Sequence, residues 1–461
     1  MRHTTARGLL TLALVVGLLG LPAAAQTRTD IGGVASSNVT WLGQVTDAMG
    51  VAEGGRLVDG YFYATVNGRG LLIFDVRTPA APRLVGRLAL PHLAENEDVA
   101  TNGEIALLSQ GSVARVADDN MALARELLPL PGMPEQPVGG SAVSALHVVD
   151  VRDKAHPRIR STLLGAGDHT YTCLDDCSWA YGGWGNIIDL RDPNHPRLLE
   201  RRWTEMVGVP DFYVRHDVVE VRPGLVLTST QPMLALNTTD PAAPRVIAQS
   251  DGSRNTSHNV AWPNAGRDRF ILSASENAHP RCETRDSGGE VVDGFLQAVK
   301  TWDTTGWRDT GAFKPLHEYF VRNGTYLDGQ PAVSGAMGCS PHWLDAHPSF
   351  RNGGLFAEAS YGHGVRFVDV ASDGRMTEVG WFLGWGANTS AVYWISDEIA
   401  YAVDMQRGID ILRFDRKAPA DTTPAPPPLP AVTGVGVTVD SPVAWSCRLP
   451  RARQPAPSEA G

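Results

Sequence analysis

The stretch GLLIFDVRTPAAPRLVGRL, Gly70–Leu88, reads as an apolar strand ending in an aspartate, a turn containing proline, and a second strand. It is echoed by ALHVVDVRDKAHPRIRSTL (Ala145–Leu163) and NIIDLRDPNHPRLLERRW (Asn186–Trp203). Fainter copies are LALNTTDPAAPRVIAQS (Leu234–Ser250) and VRFVDVASDGRMTEVGWFL (Val365–Leu383). An Asp or Asn at the end of a strand accepts hydrogen bonds from the backbone of the turn that follows, and proline presets φ there. Asp75, Asp150, Asp189, Asn237 and Asp369 are therefore expected to form turns rather than to carry chemistry.

Each such hairpin follows another of different character. RHDVVEVRPGLVLTST (Arg215–Thr230) is an apolar strand, a Pro-Gly turn and a second apolar strand. DHTYTCLDDCSWAYG, SHNVAWPNAGRDRFILSAS and PHWLDAHPSFRNGGLFAEAS repeat the arrangement. Four antiparallel strands recurring at roughly 40 to 70 residues predict an all-β protein, a β-propeller. Helical repeats are excluded, since no long stretch keeps a 3.6-residue apolar period. Inner hairpins starting near Val51, Glu97, His169, His216, His258, His342 and Ser390 predict seven blades. The last unit, NTSAVYWISDEIAYAVDMQRGIDILRFD, has only three strands and ends at Asp415. NVTWLGQV, Asn38 to Val45, resembles the outer strands and is expected to supply the fourth, closing the ring and removing an exposed edge.

The LLIFDV, LHVVDV, NIIDL and VRFVDV runs resemble the LVIVD repeat family of exported bacterial and archaeal proteins, over Asn38 to Asp415. That resemblance implies a propeller at or beyond the cell surface and specifies no reaction. A fainter likeness joins the histidine-headed strands to the selenium-binding, methanethiol-oxidase-type propellers, in which histidines gather around copper. No ligand position is transferred from that second family.

The chain opens MRHTTARGLLTLALVVGLLGLPAAAQ, with basic residues, an apolar run and a small-residue site. Residues 1–25 are thus expected to be an export signal, placing the protein in the periplasm, at the cell surface or outside the cell. Removing that segment takes the formal charge from −10 to −12. An acidic chain without a basic run is a poor ligand for nucleic acid or anionic lipid. No later stretch is apolar and long enough to span a bilayer as a helix. Residues 416–461 are proline-rich and are expected to form an extended tail. Oligomeric state is not legible.

Cys173 and Cys177 flank three residues and are expected to staple a hairpin across a three-residue loop. Cys282 and Cys339 lie in or beside insertions and are a second candidate pair, which leaves Cys447 over.

In a propeller, the first residue of each innermost strand lies at one mouth of the axis. His169, His216, His258 and His342 head four successive inner strands, and Glu97 takes the matching place one blade earlier. Imidazoles converging with a carboxylate suit Cu, Zn or Fe, at a site open to the mouth. Asp168, Asp217, Asn259, Glu276 and Glu358 are placed to orient such ligands. The same residues would equally line a water-filled channel. Insertions at 111–140, 277–297 and 322–337 fall on this face, where a small molecule or surface protein would bind. Arg69, Trp184, His363 and Arg407, each flanked by glycines or in a tight turn, are rim candidates. Two functional readings follow: a binding or interaction scaffold with a metal or ligand at its mouth, and a metal-dependent oxidase or hydrolase using the His/Glu ring. No nucleophile motif or paired acids favour the second.

Overall fold

The computed structural model describes residues 32–66, 69–90, 97–110, 144–209, 215–251, 258–276, 298–321 and 340–422. The expected export signal, the three insertions, Cys282, Cys339, Cys447 and the tail from residue 423 lie outside the described residues.

Strands β1 (Gly33–Ala35) and β2 (Val39–Val45) come first but belong to sheets completed at the end of the chain. A four-stranded antiparallel sheet then forms from β3 (Ala52–Val58), β4 (Tyr61–Val66), β5 (Gly70–Asp75) and β6 (Arg83–Ala89). The next is β7 (Ala100–Thr101), β8 (Ile105–Gln110), β9 (Ala145–Asp150) and β10 (Arg158–Leu164). It is followed by β11 (Tyr171–Leu174), β12 (Trp179–Gly182), β13 (Ile187–Asp189) and β14 (Arg197–Leu198). Then come β15 (Arg215–Arg222), β16 (Leu225–Thr230), β17 (Leu234–Asn237) and β18 (Arg245–Ser250). The set β19 (Asn259–Ala261), β20 (Phe270–Ala274), β21 (Val299–Asp303) and β22 (Ala312–Tyr319) joins them edge to edge, through parallel pairing of β18 with β22. β23 (Trp343–Ala346), β24 (Gly354–Ala359), β25 (Val365–Val370) and β26 (Met376–Gly384) carry β1 as a fifth strand. Finally β27 (Thr389–Trp394), β28 (Ile399–Asp404) and β29 (Gly408–Phe414) are completed by β2.

The first strands of successive sets touch one another in a closed cycle, from β3 through β7, β11, β15, β19, β23 and β27 back to β3. Sheets radiating from such a cycle are a β-propeller. Side chains on both faces of the inner strands are then covered by neighbouring sheets, so those strands read as continuous apolar runs rather than alternating ones. All six residues of β5 are buried, whereas the outer strand β6 is largely open. One core cluster runs from Phe62, Leu72 and Phe74 to Tyr393, Tyr401 and Ile409 in the set containing the chain's last strand. Another joins Phe270 and Leu272 to Phe350, Phe356 and Val368. Burying each such side chain stabilises by about 1.5–3 kcal/mol.

The turn aspartates behave as expected, with an addition that was not anticipated. Asp75, Asp150 and Asp189 each accept the backbone N–H two residues on, at 3.2 Å, and Asn237 accepts that of Thr239 at 3.0 Å. The residue two positions on is arginine in the first three turns, and its guanidinium grips the same carboxylate in bidentate fashion. Arg83 and Arg197, from the outer strands, close on Asp75 and Asp189 as well. Asp369 departs from the pattern: Asp373 Oδ1 accepts the Arg375 N–H, so the turn acceptor there is Asp373.

The Cys173–Cys177 disulfide is formed, with a Cα–Cα separation of 4.4 Å. Its loop differs from the three-residue hairpin expected. Leu174 pairs with Trp179, so Cys177 sits inside a four-residue turn, and Asp175, Asp176 and Cys177 are all left-handed. The chain past Asp415 also stays on the domain further than a tail starting at residue 416 implies. Asp421 donates its N–H to the Val379 carbonyl and accepts hydrogen bonds from Ser37. Among the described residues, no helix is long and apolar enough to cross a membrane.

Asp150→Ala removes a turn acceptor and an arginine clamp, and should lower stability at pH 7 by about 1–2 kcal/mol, read as a denaturant midpoint shift. Hydrogen bonds from Arg152 hold the Asp150 carboxyl well below its usual range near 3.8. Its contribution is therefore complete above that range and is lost as the pH falls below it. The gap between wild type and Asp150→Ala should accordingly shrink on going from pH 7 to pH 3; a gap that widens would contradict the clamp.

Candidate metal centre

The chain delivers one polar side chain to the axis from each of five neighbouring sets, and backbone pairing fixes where it arrives. His258 and His342 stand immediately before β19 and β23, and their N–H groups donate to Ala274 and Ala359 at 2.7 and 2.9 Å, extending each inner hairpin by one rung. His216 lies at the start of β15, His169 two residues ahead of β11, and Glu97 three residues ahead of β7. Close backbone approach is possible because glycines face these heads. A Cβ on Gly54 would lie 1.4 Å from the Glu97 carbonyl oxygen, and one on Gly183 would lie 1.7 Å from that of His216.

The five side chains converge. Glu97 Oε1 lies 3.1 Å from His342 Nε2 and 3.8 Å from His169 Nε2. Its Oε2 lies 3.3 Å from His258 Nε2 and 3.7 Å from His216 Nε2. His169 Nε2 faces His216 Nε2 directly. Glu276 joins them, with Oε2 at 3.4 Å from His258 Nε2. Two overlapping groups of potential metal donors result: Glu97, His169, His216 and His258, and His258, Glu276 and His342. All six residues are at most 3% exposed. The centre is thus enclosed, where the sequence reading expected it to lie open at a solvent-filled mouth.

The far nitrogens settle the tautomers. His342 Nδ1 donates to the Ser390 carbonyl at 2.5 Å, His258 Nδ1 to the His342 carbonyl at 3.1 Å, and His216 Nδ1 to Asp217 Oδ1 at 3.2 Å. An imidazole that donates from Nδ1 offers a lone pair at Nε2. His342 donates from Nε2 as well, to Glu97 Oε1 at 3.1 Å, whereas the Nε2 lone pairs of His258 and His216 face carboxylate oxygens, an arrangement that repels unless a proton or a cation lies between. His258 Nε2 and Glu276 Oε2 are buried without a hydrogen-bond partner. Burying a carboxylate costs several kcal/mol unless charge is supplied nearby. Burial alone would raise the Glu97 carboxyl, yet the imidazoles of His342, His216, His258 and His169 hold it well below its usual range. Burial likewise works against charge on His342, but Glu97 outweighs it and raises that imidazole to about 9. His216 is driven well down, by burial first and then by its imidazole neighbours.

The residues expected to orient the ligands divide. Asp217 has that geometry: it accepts from His216, from Thr170 Oγ1 at 3.3 Å and from Asn259 Nδ2 at 3.2 Å. Burial raises its carboxyl to about 7. Asp168 instead accepts backbone N–H groups of His169, Trp184 and Asn186 at 2.7–3.3 Å and shapes the loop. Glu276 belongs with the donors themselves. Glu358 lies in neither donor group; it accepts from Ser360 and is raised to about 7 by burial.

The rim candidates scatter. Trp184 comes to the centre, stacked on His169 with ring centroids 5.4 Å apart. Arg407 is turned inward, bidentate to Asp410 at 2.7 and 2.8 Å. Arg69 donates to the Met49 carbonyl. His363 is buried in the turn after β24, its N–H donating to Ser360 at 2.7 Å. Sequence reasoning missed Tyr361, whose hydroxyl donates to Glu276 Oε1 at 2.6 Å and whose ring lies 4.6 Å from that of His342. Its signal was weak, since it stands in a turn with φ 37°, a region few non-glycine residues adopt.

No family model matches the chain, and no curated protein does. Among solved structures, the WD40 β-propeller domain of Doa1 is similar at 10% identity and TM-score 0.48, covering 82% of this chain and 98% of that one. The β-propeller domain of Myceliophteria thermophila Cps50 (Swd1) is similar at 10% identity and TM-score 0.48, covering 79% and 97%. The propeller architecture rests on the chain's own sheet order, and the LVIVD resemblance on its repeats.

Gly54→Ala should force the Glu97 backbone off the axis, at a cost of about 1–3 kcal/mol in unfolding free energy. Stability equal to wild type would mean that the two backbones do not touch.

Proposed function

We propose that the protein is an exported, seven-bladed β-propeller of the LVIVD kind that binds a transition metal at its axis and serves as a binding scaffold. One observation carries the metal reading. Carboxylate oxygens and imidazole nitrogens lie 3.1–3.8 Å apart in a buried group, with His258 Nε2 facing two carboxylates without a hydrogen bond to either. Ligands at zinc bond lengths of about 2.0–2.1 Å around a tetrahedral ion are spaced by about 3.4 Å. The donor set, imidazole with carboxylate and no thiolate, suits Zn, Fe or Cu(II). The seven-blade count is supported by the cycle of first strands, and N-terminal closure by the pairing of β2 with β29 from Val39↔Phe414 to Val45↔Ile409. Export rests on the signal pattern in residues 1–25. A small molecule or surface protein would dock on the insertions.

A metal-dependent oxidase or hydrolase is a second reading, favoured by one feature. A cavity of about 520 Å³ is lined by Asn259 and Asp98, the neighbours of His258 and Glu97. Its wall mixes the aromatic rings of Trp262, Trp343, Tyr393 and Trp394 with the charged groups of Arg56 and Asp345, a lining suited to a substrate with both polar and aromatic parts.

Elemental analysis of the untagged, export-matured chain beside His216→Ala tests the metal reading. A stoichiometric transition metal is expected in the first and a clear loss in the second. No metal after reloading with Cu, Zn and Fe would reduce the histidines to channel lining. Removal of residues 32–45 should broaden thermal unfolding or abolish folding; unchanged cooperative unfolding would argue against closure by β2.

A further inference from the structure

The axial donors are too many and too widely spread for one ion. Six side chains supply donor atoms, yet even with up to 4.8 Å allowed between donor atoms they form two overlapping groups rather than one. Two atoms bound to one ion at about 2.1 Å cannot lie more than about 4.2 Å apart. His258 belongs to both groups but cannot serve two ions, because its Nδ1 is committed to the His342 carbonyl. Glu97 stands between the halves. Each of its oxygens lies within 3.8 Å of one nitrogen from the His169/His216 side and one from the His258/His342 side.

Glu276 supplies a second carboxylate on one side only. Tyr361 holds its Oε1, which leaves the buried, unpartnered Oε2 aimed at the equally unpartnered Nε2 of His258. Neither side chain is more than 2% exposed, so bulk solvent does not reach them.

We propose that the axis holds two transition-metal ions bridged by the Glu97 carboxylate. His169 and His216 bind the first; His258, His342 and Glu276 bind the second. A carboxylate bridge sets paired ions about 3.5–4 Å apart. This inference rests on the metal reading above and specifies its nuclearity. Tyr361 is a positioning residue, fixing the rotamer of Glu276.

The mature full-length chain is loaded with Zn(II), dialysed against metal-free buffer and assayed for zinc per chain. The expected result is two ions in wild type and one in Glu276→Gln, with the far-UV spectrum unchanged. One ion in wild type that survives in Glu276→Gln would overturn the pair and leave a single-ion site standing. Zero would overturn both readings, and two in both proteins would overturn the assignment of Glu276. Loading wild type with Cu(II) gives a readout that needs no variant. Paired ions lose most of their integrated paramagnetic signal through coupling, whereas a signal accounting for all bound copper would sink the proposal.

Discussion

A carboxylate with no exposure, Glu97, stands among four imidazoles on the axis, and the arrangement of the inner strands answers to that constraint. A buried acid and several buried bases are each costly alone. Together they are tolerated only at close range, and close range requires that five sets of strands bring their first residues to one place. The glycines at 54 and 183 are part of the same requirement, since a β-carbon at either would strike the backbone that carries Glu97 or His216.

The surrounding shell is shared between backbone carbonyls of neighbouring strand heads and two side chains. The His342 ring is oriented by the carbonyl of Ser390, and the His258 ring by that of His342. For these two histidines the next strand head fixes the tautomer, so the repeat that builds the propeller also orients part of the site. Where side chains do intervene, through Asp217 for His216 and Tyr361 for Glu276, they too are anchored on adjacent sheets. Ring closure and site geometry are therefore coupled: displacing one inner strand moves both a donor and the carbonyl that orients the next donor.

The turn chemistry works further out in the same sheets, at the ends of β5, β9 and β13. Asp75, Asp150 and Asp189 close the outer hairpins by accepting a backbone N–H, and their arginine partners lock the aspartates into that role. These acids are conspicuous in the sequence yet chemically occupied. Of the acids that matter at the axis, Glu97 is marked by its place at a repeated strand head, whereas Glu276 is not marked by the repeat.

The sequence by itself determined that the chain is all-β and repetitive, because alternating turn chemistry and apolar runs leave a periodic record. It also placed four histidines and Glu97 at equivalent strand heads, and it located the Cys173–Cys177 disulfide. It could not separate Glu276 from Glu358, since both lie on second strands or at their ends and only sheet-to-sheet packing sends one to the axis. Nor could it place Tyr361, or show that Asp168 serves backbone N–H groups while Asp217 serves an imidazole. It left Arg407 looking like a rim residue although Asp410, which absorbs it, stands only three residues on. Tertiary structure decided these points. The placement of Glu276 and Tyr361 depends on contact between residues far apart along the chain, whereas strand and turn patterns are set by neighbours within a few positions.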